Sequence, residues 1–341
     1  MAAPRFDILG IGNAIVDQLA EVPESFLSRH DMRKGAMQLC DFETVRRLGE
    51  SLPDPQETSG GSAANTCAVA ASLGSRVAFL GKVAGDRLGA RFREDITNAG
   101  VHFPDDSSAA GEPVSHPISH PISHPTGRCV VAVTPDGHRT LNTFLGAATG
   151  LAPEDIDPEL IADSGVVYLE GYLFDPPAAQ AAFHRAAQLA REAGRKVALS
   201  LSDPFCVDRH RAGFRAFAAG QVDLLFANEA EICSLYEEES FEAAAERARR
   251  DVVIAALTRS EAGSVVLAGE RTIPIPAWPT RVVDTTGAGD AYAAGFLHAH
   301  MAGHDLELCG KLGSLAASEV IAHLGARPGA GLSARAAFLL R

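Results

Sequence analysis

Apolar residues along this chain gather into short runs separated by longer stretches in which they are spaced out. The runs at 5–12, 36–40, 76–81, 166–170, 196–201, 224–227, 251–258 and 264–267 read as strands. The stretches 22–34, 88–99, 178–193, 209–219, 291–301 and 312–322 read as helices, the first of them amphipathic. From residue 151 onward the two kinds alternate, which predicts βαβ units and a doubly wound, mostly parallel sheet flanked by helices. One segment breaks the rhythm: 129–134 and 139–144 flank Pro135-Asp136-Gly137 and predict a β-hairpin.

Composition narrows the class. With 341 residues, 46% of them hydrophobic, the chain can bury a large α/β core and carry a smaller appendage. A net charge of −13 argues against nucleic acid and anionic membrane as partners. The six cysteines are scattered without a CxxC pair, and Asp7 and Asp17 interrupt the apolar run 6–20, which argues against a secretory leader. No run reaches membrane-spanning length without charge, so a cytoplasmic protein is expected. Ser-His-Pro-Ile recurs from Ser115 and spaces His116, His120 and His124 four apart. Proline at every fourth place excludes a helix there. Three imidazoles invite a metal, but a solvated loop insertion fits such a tract better.

The stretch Val283-Asp284-Thr285-Thr286-Gly287-Ala288-Gly289-Asp290 runs into a small-residue apolar segment and reads as a turn opening a helix. Gly287 and Gly289 admit backbone conformations that other residues resist. The free amides of a helix's first turn carry partial positive charge and bind anions, phosphate most often. Asp290 sits in that turn. A carboxylate there repels phosphate, unless it serves to deprotonate a hydroxyl about to attack it; the alternative is an acid that complements the helix dipole. Thr58-Ser59-Gly60-Gly61-Ser62-Ala63-Ala64-Asn65 is a second glycine-rich turn before a helix of small residues. Gly61 lets substrate approach the backbone, Asn65 offers donor and acceptor to sugar hydroxyls, and Ser62 is either a further contact or the helix cap. A P-loop is excluded, because no lysine precedes Ser or Thr, and a dinucleotide fingerprint fails at Ile15.

DTTGAGDAYAAGF at 284–296 and the Gly-Gly…Asn pattern at 60–65 resemble the two signatures of the ribokinase-like, phosphofructokinase-B type family of sugar and nucleoside kinases. GNAIVD at 12–17, the stretch 139–148 and LSDPF at 201–205 are most similar to the family's adenosine kinases. The resemblance implies an anion hole at Gly287, Ala288 and Gly289, with Asp290 as catalytic base. It implies that Asn13 and Asp17 face a ribose, and that Met37 and Leu39, on a lid strand, contact the base or else simply pack. Arg139 is the implied phosphate-reaching arginine, with a surface ion pair as the alternative. Tyr172 and Phe205, just past strand ends, stack on the base or belong to the core. Asn228-Glu229-Ala230-Glu231 matches the family's NxxE: Glu231 holds Mg²⁺ through water and Asn228 serves the nucleotide, or the pair is a capping box. Thr258 and Gly263 bracket the nucleotide loop, in which Ser260 replaces a glycine. Residues 325–327 complete the adenine pocket, and family analogy adds K⁺ near Asp284.

The implied architecture is a large domain of 1–13, 45–100 and 147–341 with a small discontinuous β lid of 14–44 and 101–146, as monomer or homodimer. The implied reaction is ATP-dependent phosphorylation of a nucleoside 5′-hydroxyl, adenosine to AMP, with Mg²⁺. A ribose, fructose or other nucleoside kinase is the alternative within the family. A catalytically silent nucleoside-binding regulator is the alternative outside it.

Overall fold

The computed structural model describes residues 3–104 and 124–340. Its strands are β1 (Phe6–Ile11), β2 (Ile15–Glu21), β3 (Met37–Leu39), β4 (Gln56–Gly60), β5 (Val77–Leu80), β6 (Val101–His102) and β7 (Thr126–Val133). They continue as β8 (Arg139–Gly146), β9 (Ser164–Glu170), β10 (Lys196–Ser200), β11 (Leu224–Asn228), β12 (Ile254–Thr258), β13 (Ser264–Ala268) and β14 (Arg271–Ile275). A nine-stranded sheet runs β14-β13-β12-β11-β10-β9-β1-β5-β6. It is parallel from β12 through β6 and closed at one edge by the antiparallel β13 and β14. Strands covered on both faces need apolar residues on both, which is why they appear as runs rather than alternations.

Helices cover each face. On one, Leu9, Val167 and Leu199 pack under helices Pro177–Glu192, Pro204–Gln221, Glu229–Tyr236 and Phe241–Asp251. On the other, Ile8, Val166 and Tyr168 pack under helices Ser62–Ser72, Arg87–Asn98, Ala288–Met301 and Leu306–Val320. Helix Ala288–Met301 is apolar nearly all round because it is buried nearly all round. At Gly295 an added Cβ would meet Leu312 O at 2.5 Å, so glycine there lets the last two long helices touch backbone to backbone.

Five strands form a second, smaller sheet, β3-β8-β7-β2-β4. Helix Phe42–Ser51 seals its outer face by setting Val45 and Leu48 against Ala20, Val130 and Ala132. The 129–134 and 139–144 hairpin is here as antiparallel β7 and β8. Strand β4, assigned by sequence to the large domain, pairs with β2 instead; its residues QETSG carry no apolar alternation to reveal a strand. Strand β6, assigned to the lid, pairs with β5 of the large sheet. The helix expected over 22–34 spans only Glu24–Arg29, since Asp31 takes a left-handed φ of 54° just beyond it. The Ser-His-Pro-Ile repeat lies outside the described residues apart from the exposed His124. Among the described residues no helix is long and apolar enough to cross a membrane.

Candidate active site

The strand order turns back at β1, which has β9 on one side and β5 on the other. In open α/β sheets the crevice outside the carboxyl ends of strands at such a switch is where ligands bind. Two helix N-termini open onto it, those of Ser62–Ser72 and Ala288–Met301, and Ser62 Oγ donates to Asp290 Oδ1 across the gap at 2.6 Å. Ser62 is therefore not the cap: Gly61 holds that position, with no side-chain cap bond.

Gly287 caps the second helix with φ 74° and ψ 6°, and a Cβ there would press on Ala326 at 2.7 Å. The Ala288 amide closes the turn onto Thr285 O at 3.2 Å, while the amides of Gly289 and Asp290 find no acceptor outside the helix among the described residues. Asp290 is partly buried, and Asn65 Nδ2 adds a longer contact to its Oδ2 at 3.4 Å. Burial raises its pKa to about 6, against the opposing pull of Ser62, Asn65 and the Arg327 guanidinium. Asp17 also reaches about 6, raised by burial and lowered by Arg327 and Arg139. Arg327, expected from the sequence at the adenine pocket, donates to Ser59 O and, at 2.7 Å, to Ser59 Oγ. It ties the loop after the last long helix to β4.

Glu170 is the residue that sequence reasoning missed. It ends β9, is 1% exposed, and accepts from the Asn13 amide (3.3 Å), Asn13 Nδ2 (2.7 Å) and the Ala63 amide (2.8 Å). Burial lifts it to about 7 despite these donors. Gly12 has to be glycine because a Cβ would collide with the Glu170 carboxylate, and Gly61, at φ 102°, because a Cβ would collide with Asn13 O. Glu170 thereby fixes Asn13, whose Oδ1 stays buried without a partner among the described residues. An unsatisfied buried acceptor fits a ligand hydroxyl.

Register assembles the small sheet's contribution. Asp17 pairs with Cys129, Cys129 with Thr143 and Thr143 with Leu39. One rung along, Leu19, Val131, Leu141 and Met37 form a parallel row, and Arg139 pairs with Val133 in the next. Directly paired residues share a face, so Asp17, Arg139, Met37 and Leu39 stand on the same side. Met37 and Leu39 are 46% and 57% exposed there. Arg139 forms a buried ion pair with Asp284, just upstream of the Gly287 turn, and its Nε remains without a partner.

At the same crevice edge, Asn228 and Glu231 form the reciprocal box: Glu231 accepts from the Asn228 amide (2.9 Å) and Nδ2 (2.6 Å), and Asn228 Oδ1 accepts from the Glu231 amide (2.9 Å). Burial raises Glu231 to about 7. Lone pairs remain on its carboxylate, which suits the water shell of a hydrated Mg²⁺. Among the described residues no cluster of three or more His, Cys, Asp or Glu could hold an ion by itself. The donor set near Asp284 does not fit K⁺: its carboxylate accepts from the Thr286 (3.0 Å) and Gly325 (2.9 Å) amides and its charge is met by Arg139. Thr258 ends β12, beside Asn228 of β11. Gly263, at φ 86°, has no room for a Cβ against Ile275 O, and Ser260 adopts φ 49°, so the loop keeps a left-handed residue where the family pattern has glycine. Tyr172 packs on the core with its hydroxyl 3.4 Å from Ser202 O, whereas Phe205 is 71% exposed.

The sequence pattern of pfkB family carbohydrate kinases matches residues 44–331. The chain belongs to this family, whose members are ATP-dependent phosphotransferases acting on a hydroxyl. It is similar to the structure of adenosine kinase from Sinorhizobium meliloti, with a TM-score of 0.86 and 46% identity over 98% of this chain and 99% of that one. It is likewise similar to a probable sugar kinase from Rhizobium etli (TM-score 0.87, 44% identity, 98% and 99% covered). Adenosine kinase from Saccharomyces cerevisiae is 26% identical over 349 residues, covering 95% of this chain and 96% of the yeast protein.

Proposed function

We propose that this chain moves the γ-phosphoryl group of ATP to the 5′-hydroxyl of a nucleoside, converting adenosine to AMP. The observation that carries the reading is Asp290: a carboxylate at about 6, held by Ser62 beside free first-turn amides. A base poised near the working pH takes the hydroxyl proton efficiently. The amides of Gly287, Gly289 and Asp290 stabilise the charge that develops on the transferring group, while the Ala288 amide holds the turn on Thr285 O. Asp17 takes the ribose diol, with the free Asn13 Oδ1 and Asn65 as further hydroxyl contacts. Glu231, through water, holds the Mg²⁺ that accompanies the nucleotide and offsets its charge. Thr258, Gly263 and Asn228 line the nucleotide side.

The small sheet is the lid. Its closure excludes water and carries Asp17 and Arg139 with it. Met37 and Leu39 supply an apolar platform for a flat base, with Tyr172 and the exposed Phe205 across the crevice. That platform favours a nucleoside over a free sugar; the likeness to a probable sugar kinase keeps a sugar as second reading. All six cysteines are unpaired, which supports a cytoplasmic setting. A phosphoryl-transfer assay over adenosine, guanosine, inosine, ribose and fructose tests the assignment. Adenosine should show the highest kcat/KM. Transfer to ribose or fructose alone would replace it with the sugar reading, and transfer to none would remove it.

A further inference from the structure

Behind the small sheet, on the face opposite Asp17, lies a cavity of about 420 Å³ between β2, helix Phe42–Ser51 and the start of helix Arg87–Asn98. It is far larger than a single water, whose share of liquid is about 30 Å³, and falls within the small-molecule range of about 300–1,000 Å³. Three arginines and three acids line it, but their pairing is uneven. Arg87 and Gln18 Nε2 occupy Glu57, at 2.7 and 2.8 Å. Arg46 occupies Glu50 at 2.8 Å, and Asp86 accepts from the Gly89 amide and from the amide and hydroxyl of Thr126. Arg128 is left over. Among the described residues no hydrogen bond or ion pair reaches it, its Nε is buried, and the Phe42 ring lies 5.6 Å beneath the guanidinium. Burial pushes its pKa down, while Asp86, Glu57 and Glu50 pull it up without forming an ion pair with it.

A second unsatisfied atom lies beside it. Gln18 is 4% exposed and its Oε1 has no donor among the described residues. Both groups border Gly49, where an added Cβ would lie 2.6 Å from Gln18 Oε1 and 3.9 Å from Arg128 Nη1. The pairing of Arg128 with Val16, two residues from Gln18 on β2, puts both on the same face. A guanidinium with no direct contact leaves its planar fork free, and that fork matches a carboxylate. An orphaned amide oxygen alongside calls for a donor.

We propose that this cavity is a second ligand site, for a small carboxylate that carries a hydroxyl or amino donor on the neighbouring carbon. The carboxylate pairs with Arg128 and the donor with Gln18 Oε1. Gln18, Arg46 and Arg128 belong to the small sheet and its helix, Asp86 and Arg87 to the large domain, so the ligand spans the joint between them. Gln18 directly follows Asp17, which couples the site to lid position. The proposal does not depend on which acceptor the kinase uses.

Calorimetric titration of the full chain with glycolate and glycine, with acetate, glycinamide and inorganic phosphate as controls, tests it. Glycolate or glycine should bind once per chain, acetate and Gln18→Leu should each weaken binding about tenfold, and ATP should not displace the ligand. Arg128→Met should abolish binding while matching or exceeding the wild-type melting temperature without ligand. Arg128→Lys, which keeps the charge and loses the fork, should weaken binding at least tenfold. No saturable binding, binding of phosphate alone, displacement by ATP, undiminished binding by Arg128→Lys, or a Met variant that melts well below wild type would each overturn it.

Discussion

Burial raises four carboxylates at the crevice: Asp17 and Asp290 to about 6, Glu170 and Glu231 to about 7. Each favours folding in its protonated form. That stabilisation is full below the ordinary carboxylate range, near pH 4, and is lost as pH rises through 6 to 7. Asp17 shows it most cleanly, since among the described residues no hydrogen bond reaches its carboxylate. Asp17→Asn should stabilise the protein by on the order of 2–3 kcal/mol at pH 8 and by almost nothing near pH 4. Urea unfolding at the two pH values checks this, and KM for the nucleoside should rise in the same variant. Ser62 lowers the pKa of Asp290. Ser62→Ala should therefore move the acidic limb of the kcat/KM–pH profile upward from about 6, and an unmoved limb would separate Asp290 from proton transfer. Asp290, Asn65 and Gly61 were legible because each lies in a dense motif. Glu170 was not: a lone acid ending an apolar strand looks like any strand-end carboxylate until β1 and β9 bring Asn13 to it.

Single elements are held by contacts whose partners are far apart in sequence. Lys82 is 4% exposed, pairs with Asp155 at 2.7 Å and donates to Gly150 O at 2.9 Å, anchoring the loop after β5. Breaking one side of a buried pair strands the other charge. Lys82→Met should cost about 3–5 kcal/mol of unfolding free energy, measurable by denaturant titration with the urea slope unchanged. Gly61→Ala should be more damaging to activity than to fold, because the added Cβ lands on Asn13 O and displaces the residue that Glu170 holds. The parallel strands were readable from apolar runs alone. Strand β4 was not, because its polar QETSG takes its place by backbone pairing to β2 and its anchoring Asp95–Ser59–Arg327 contacts are nonlocal. The kink at His210, inside helix Pro204–Gln221, likewise has no local breaker in the sequence.

Across the whole molecule, two sheets meet at the crevice, joined by Arg139 to Asp284 and by Arg327 to Ser59. Arg139 comes from the small sheet and Asp284 from the turn before Gly287, so the ion pair joins the small sheet to the large domain. Arg139→Ala should lower kcat and raise KM for ATP together. It should also speed amide hydrogen exchange in β8, whereas a merely structural surface pair would leave kinetics unchanged. The arrangement as a whole asks one carboxylate to take a proton beside amides that gather the phosphate. Steady-state phosphoryl transfer by Asp290→Asn at saturating adenosine, with ATP affinity measured in parallel, tests that most directly. The expected result is a fall in kcat of about 10²–10⁴-fold with ATP binding retained; a variant that keeps most of its turnover would contradict it.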